Sequence, residues 1–210
     1  QELIATLKPA LEDIGAKLGV LGELRDKPAG AIRITTSRHA AQSLLVPALA
    51  PLLVRFPDIH VELSTDGTLV DIVADRFDAG VRLGEHLAKD MIAVRIGPDL
   101  RQAVVGSPGY FARHAKPANP HDLTAHRCIN LRMPTQGSLY TWEFSQQGRD
   151  LNVRVEGSMI VNDSIVAVDA AMAGMGLACV MEDLVAPAVA DGRLVRVLDA
   201  WCEPFAGYHL

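Results

Sequence analysis

Residues 90–131, DMIAVRIGPDLRQAVVGSPGYFARHAKPANPHDLTAHRCINL, interrupt one α/β pattern and begin another. The stretch reads as a strand, a crossing into a second subdomain, a new strand at 103–105, a short helix at 108–114, a polar loop and a strand at 128–131. A chain that leaves one α/β unit in mid-sheet and starts a second is organised as two lobes around a cleft, with a hinge behind them.

Toward the N-terminus, Ile32 and Ile34 alternate with Arg33 and Thr35, as on a strand with one apolar face. Leu44, Leu45, Leu49, Leu52, Leu53 and Phe56 then recur at helical spacing until Pro57-Asp58 stops them. Ile59, Val61 and Leu63 form the next alternating strand, Leu69, Val70, Ile72 and Val73 mark a second helix, and residues 79–83 a third strand. Two βαβ crossovers in succession predict a parallel sheet covered by helices. Ahead of it, Leu7, Leu11, Ile14, Leu18 and Leu21 alternate at spacings of four and three. That is the seam of a helix which pairs with another helix or packs on its own domain. Pro9 kinks or restarts this helix, and Lys27-Pro28-Ala29-Gly30 ends it.

Toward the C-terminus, residues 176–181 read as a buried strand. Residues 140–144 and 151–156 form a hairpin around Gln147-Gly148-Arg149. Asp163 or Ser164 caps a helix over 165–173, a helix over 182–190 ends at Asp191-Gly192, and residues 194–198 form a strand. The predicted organisation is a linker helix at 1–29, one subdomain at 30–99 to which 204–210 return, and a second at 100–203. Because the chain stops on a strand-like segment and begins at a non-native start, further segments are expected on both sides.

Composition excludes several classes. The 210 residues are 49% hydrophobic and 21% charged, with a formal net charge of −5. No apolar run reaches the roughly 20 residues that span a bilayer. No basic cluster is present, so these residues alone are not expected to grip a phosphate backbone. Three cysteines, Cys128, Cys179 and Cys202, at wide spacing point to reduced thiols in a cytoplasmic protein.

The quoted stretch also carries a family resemblance. DMIAVRIGPDLR (90–101), VVGSPGYFARHAKP (104–117) and DLTAHRCINLR (122–132) resemble the effector-binding domain of LysR-type transcriptional regulators, and the likeness runs from about Gln1 to Leu210. The resemblance implies an α/β fold of two Rossmann-like subdomains around a cleft, of the type 2 periplasmic-binding-protein kind, preceded by a linker helix. It implies no cofactor but a small-molecule co-inducer of unknown identity, operator DNA bound through a winged helix-turn-helix outside this sequence, and homo-oligomers, commonly tetramers. A periplasmic solute-binding protein would share the fold, but would need an export signal and would lack the leucine seam. An enzyme would need a convergent nucleophile, base and acid. Only scattered hydroxyls are present, so no catalytic residue and no metal is assigned.

In an open α/β sheet, ligands bind at the carboxyl ends of strands beside helix N-termini. That places Thr36, Ser37, Arg38 and His39, after the first strand, on the cleft wall. The resemblance makes this loop the primary effector contact, with His39 departing from the small or hydroxyl residue expected there. The plainer reading is that Thr36 or Ser37 only caps the helix. Thr65 and Asp66 follow the second strand and should face the same crevice. Arg82 ends the third, suited to a carboxylate ligand or to an ion pair with Asp66 or Asp78. Asn130, Arg132, Asn162, Asp163 and Ser164 are expected on the opposite wall, Asp163 standing where relatives often carry an amide. His121, His126 and Cys128 lack zinc spacing and read as loop polarity. Gly106-Ser107-Pro108-Gly109 reads as a capped helix start, not a nucleophile elbow. Gly174-Met175-Gly176 reads as a helix-to-strand turn. Trp142, Trp201, Met172, Met175 and Met181 read as packing residues.

Overall fold

The computed structural model describes residues 28–65, 72, 74–84, 92–133 and 137–210. The leucine seam from Leu7 to Leu21 and Asp66 lie outside these residues, as does the helix expected at 69–73 apart from Ile72. The chain divides into two compact units, one ending at Arg82 and the other running Leu83–Leu210.

The first unit is built on a parallel sheet of β1 (Gly30–Thr35), β2 (Ile59–Ser64) and β3 (Ala79–Gly80), with β1 in the middle. Register runs from Gly30 opposite Ile59 to Thr35 opposite Ser64. Arg33 and Glu62 are therefore direct cross-strand partners, and they pair at 2.9 Å on the exposed face. The third strand is interrupted: Val81, fully buried, separates β3 from β4 (Arg82–Leu83). After β1 comes one continuous helical run: α1 (Arg38–Ala40), a π-turn (Ala41–Leu45) and α2 (Val46–Arg55). Pro47 has no N–H to close on the carbonyl of Ser43, and the Ser43 hydroxyl donates to His39 O at 2.8 Å. Both loosen the α ladder there, and Val46 N–H closes on Ala41 O instead. Of the expected apolar stripe only Leu45 is buried; Leu44, Leu49, Leu53 and Phe56 are half-buried and Leu52 is exposed.

The second unit centres on an antiparallel sheet in the order β10 (Ala178–Met181), β5 (Gln102–Gly106), β11 (Val195–Val197). A parallel bridge between Cys128 and Leu177 adds β6 (Ile129–Leu131) beside β10, and β9 (Met159–Val161) pairs parallel to β6. Helices α4 (Ser164–Met172) and α5 (Glu182–Ala190) cover one face, where Ala103, Val105, Ala178 and Val180 meet Ala167, Ala171, Val185 and Ala188. The other face carries Val104 and Cys179 against Trp142, Phe144 and Val153 of the hairpin β7 (Trp142–Gln146) and β8 (Arg149–Val153). Burial on both faces explains why these strands read as unbroken apolar runs rather than as alternation.

Several boundaries differ from the sequence expectation. The hairpin turn is two residues, Gln147 and Gly148, with φ of 53° and 73°, so Arg149 belongs to β8 and pairs with Gln146. Helix α3 spans only Pro108–Phe111, capped by Ser107. The expected polar loop contains a 3₁₀ helix, Pro120–Ala125, held by a capping box between Asn119 and Asp122. Met175 is 46% exposed rather than packed. Backbone bonds tie Val94 to Leu210, Ile96 to Tyr208 and Leu100 to Phe205 at 2.8–2.9 Å, pairing residues 94–100 with the returning C-terminal segment. All three cysteines are free and buried. Among the described residues no helix is long and apolar enough to cross a membrane.

Candidate functional site

In the first unit the carboxyl end of β1 gathers the predicted polar residues. Thr35 and Thr36 are 3% and 0% exposed, unusual burial for consecutive hydroxyl residues at a strand end. Backbone bonds fix both: Thr36 N–H donates to Ser64 O at 2.9 Å, and Val81 N–H donates to Thr35 O at 2.8 Å. Ser37 is the helix cap, its Oγ accepting from Ala40 N–H at 3.1 Å. Capping therefore explains Ser37 but not Thr36, whose Oγ1 is buried and, among the described residues, has no hydrogen-bond partner. A buried hydroxyl in that condition costs about 1–3 kcal/mol of stability.

Arg82 is held beside this group. Its Nη2 donates to Thr35 Oγ1 at 2.8 Å and its Nη1 to Val81 O at 2.9 Å. Burial lowers the guanidinium pKa from its ordinary value, and the group stays cationic at neutral pH. Asp78, one of the two ion-pair partners considered for it, accepts from Arg33 N–H at 2.8 Å. Thr35, which opens the loop segment 35–39 read from sequence as cleft lining, orients Arg82, and its register opposite Gly80 sets it two residues from Arg82. Arg38 is exposed at the start of α1, His39 is half-buried next to it, and Thr65 is exposed just beyond β2.

In the second unit the parallel strands β6 and β9 lead at their carboxyl ends into Arg132 and Asn162. Asn130 is 4% exposed, and among the described residues its side-chain amide has no hydrogen-bond partner. Arg132 is exposed, and its Nη1 donates to Gly137 O within its own loop. Asn162 is exposed. Asp163, not Ser164, caps α4, its Oδ1 accepting from Ile165 N–H at 2.8 Å; Ser164 is the first helical residue. Ile160, Ile165 and Val166 are exposed around this end, at 48%, 38% and 43%.

The histidines read as loop polarity have a more specific setting. His126 Nδ1 lies 3.1 Å from Tyr110 Oη, which also accepts from Arg127 N–H, and His114 stacks on the Tyr110 ring at 4.2 Å. Burial, and then the neighbouring His114, lower the His126 pKa, while Asp122 acts in the opposite sense. Among the described residues no three of His, Cys, Asp and Glu come together as a metal site.

Comparison with known proteins adds a separate line of observation. A family model described as the LysR substrate binding domain matches residues 25–210. A putative transcriptional regulator of Pseudomonas aeruginosa is 51% identical over 210 residues, covering all of this chain and 69% of that protein. The HTH-type transcriptional regulator PgrR of Escherichia coli is 44% identical over 210 residues, covering all of this chain and 70% of that protein. The full-length structure of the Vibrio cholerae virulence activator AphB superposes with a TM-score of 0.76 at 22% identity, covering 99% of this chain and 70% of that one. This last likeness is one of fold alone.

Proposed function

Since the chain belongs to the LysR-type transcriptional regulators and comprises their effector-binding domain, we propose that its effector presents a small anion, such as a carboxylate, to Thr36, Ser37 and Arg82 of the first unit. Regulators of this family bind small-molecule effectors and operator DNA and form oligomers, and relatives named as transcriptional regulators set aside the solute-binding-protein alternative. The observation that carries the proposal is the buried Thr36 hydroxyl, without a partner among the described residues, at the strand end where Arg82 is fixed on Thr35. A hydroxyl donor and a forked guanidinium are the donor set that a carboxylate accepts from. Arg38, His39 and Thr65 would serve as outer contacts of the same group, and Asp66, outside the described residues, remains a candidate from sequence alone. In the second unit, the Asn130 amide and Asn162 are neutral hydrogen-bonding groups. The Asp163 carboxylate at the head of α4 favours a donor, hydroxyl or ammonium, over a second anion. Arg132 serves through whichever donors its bond to Gly137 O leaves.

Regulation then follows from linkage. A ligand that favours one conformation of the assembly shifts its population by the difference in affinity, typically about 1–3 kcal/mol, and promoter occupancy follows. The test is a thermal-shift screen of the chain against small carboxylates, aromatic acids and amino acids, beside the Arg82→Ala and Ser37→Ala/Arg82→Ala variants. A carboxylate that raises the melting temperature of the wild type but not of the variants supports the placement. Equal affinity in the double variant refutes it.

A further inference from the structure

We propose that the second unit holds a second ligand site, for a phosphorylated small metabolite, in the cavity between Ser107 and the carboxyl end of α4. The cavity has a volume of about 420 Å³, and Ser107, Pro108, Arg113, Met172, Gly174 and Arg193 contribute to its wall. That volume lies in the range of small-molecule pockets, roughly 300–1,000 Å³.

The position separates it from the residues assigned above. Arg82 belongs to the other unit, and Asp163 and Ser164 stand at the opposite end of α4. Nine residues rising about 1.5 Å each put roughly 12 Å between the two ends.

The charges identify the ligand class. Two arginines line this wall although the chain carries a formal net charge of −5. Among the described residues the Arg113 side chain has neither hydrogen-bond nor ion-pair partner. Arg193 reaches Asp191 Oδ2 at 3.3 Å, both side chains being more than half exposed, and touches Met172 Sδ at 3.5 Å. Such a pair is weak and is readily exchanged for a doubly charged oxyanion. Ser107 is 6% exposed; its Oγ accepts from Tyr110 N–H, and among the described residues its proton has no acceptor. The arginines are not needed to close α4, which closes itself: Gly174 N–H donates to Ala171 O at 3.0 Å and Met175 N–H to Ala170 O at 3.1 Å. Two forked cations and a hydroxyl donor match the oxygens of a phosphate dianion, while Pro108 and Met172 give an apolar wall to the organic body it is attached to.

The experiment titrates the full chain with inorganic phosphate, and separately with malonate, at constant ionic strength, following the amide resonances of Gly109 and Gly174. Saturable shifts with phosphate, weakened at least tenfold in Arg113→Gln/Arg193→Gln and unchanged in Arg82→Gln, are expected. Both arginines are on the surface, and Arg113→Gln alone serves if the double variant unfolds. Absence of saturable shifts, or wild-type affinity in the Arg113 and Arg193 variants, overturns the site. Equal binding of malonate overturns its assignment to phosphate.

Discussion

Replacing Thr36 by valine should make the ligand-free protein more stable and the effector complex weaker. Both residues are β-branched and of similar shape, so the substitution leaves the backbone and χ1 preference in place and changes one hydroxyl to a methyl. Thr36 is 0% exposed and its Oγ1 has no partner among the described residues, so on this reading wild-type folding bears the desolvation of that hydroxyl. Mutational data put such a penalty at about 1–3 kcal/mol. Valine removes it and adds apolar contact, for an expected gain of about 1–2 kcal/mol. A protein of this length shifts its melting temperature by about 2–4 °C per kcal/mol, so a single unfolding transition should rise by roughly 2–8 °C. Thr36→Ser is the control of opposite sign. It keeps the orphan hydroxyl and deletes a buried methyl, and should lower stability by about 0.8 kcal/mol or somewhat more.

With a stabilising effector present the order reverses for binding. On the proposed placement the wild-type hydroxyl would gain a hydrogen bond in the complex, and one made to a charged group is worth about 1.5–3 kcal/mol, or roughly 10–100-fold in affinity. Urea and thermal unfolding of the three proteins, each with and without ligand, measure both halves. A valine variant no more stable than wild type would show that the hydroxyl is already satisfied in the free protein, and the argument from Thr36 to a ligand would fail.

Three further outcomes are expected. Burial and His114 hold the His126 pKa below its ordinary value, so the unfolded chain takes up the proton first. Stability on this account is full above about pH 6.5 and is lost as pH falls through the folded value, and His126→Gln should show a smaller drop in melting temperature between pH 7.5 and 5.5; an unchanged slope sinks the assignment. Burial pushes the Cys128 thiol up to about 12 and Cys179 well above its ordinary value, and raises Cys202. A thiol reagent at pH 8 should therefore find almost nothing in the native protein and three groups in urea, whereas one fast native thiol would contradict the burial. At Gly157 an added Cβ would lie 1.9 Å from Cys128 O, in the segment where Cys128 N–H bonds Glu156 O. Gly157→Ala should cost about 2–4 kcal/mol in urea unfolding through overpacking and the lost bond, and an effect below 1 kcal/mol would show that the segment relaxes freely.

The α/β class and most element positions were legible because they depend on local pattern. Alternation over Ile59, Val61 and Leu63 gave β2, and Pro57-Asp58 gave the end of α2. Strand direction in the second unit was not legible. Ala103, Val104 and Val105 are apolar on both faces of β5, so their sequence is silent on whether the partners at 178–181 and 195–197 run parallel or antiparallel. The hairpin was found with Gln147 and Gly148 in its turn, but Arg149 was counted with them although it opens β8 and pairs with Gln146. The 3₁₀ helix at Pro120–Ala125 went unread although Asn119 and Asp122 stand at capping-box spacing, because the segment has no apolar stripe to announce a helix.

For the candidate site the limit is burial. Thr36 and Ser37 are chemically alike in sequence, and only the fold makes one a cap and the other an orphan. The same criterion needs care elsewhere. Arg196 Nε is the other buried side-chain atom without an aligned hydrogen bond among the described residues. Yet Asp199 Oδ1 lies 2.7 Å from it and Glu182 pairs with Nη1, so proximity of charge compensates what directionality lacks. Distance is the better guide for an ion pair, whose Coulomb energy depends weakly on angle, and Arg196 is accordingly structural. Thr36 has no such compensation: a hydroxyl carries no net charge, and its interaction energy resides in the directed bond it does not make. The orphaned threonine therefore carries an argument for a ligand that the orphaned arginine nitrogen does not.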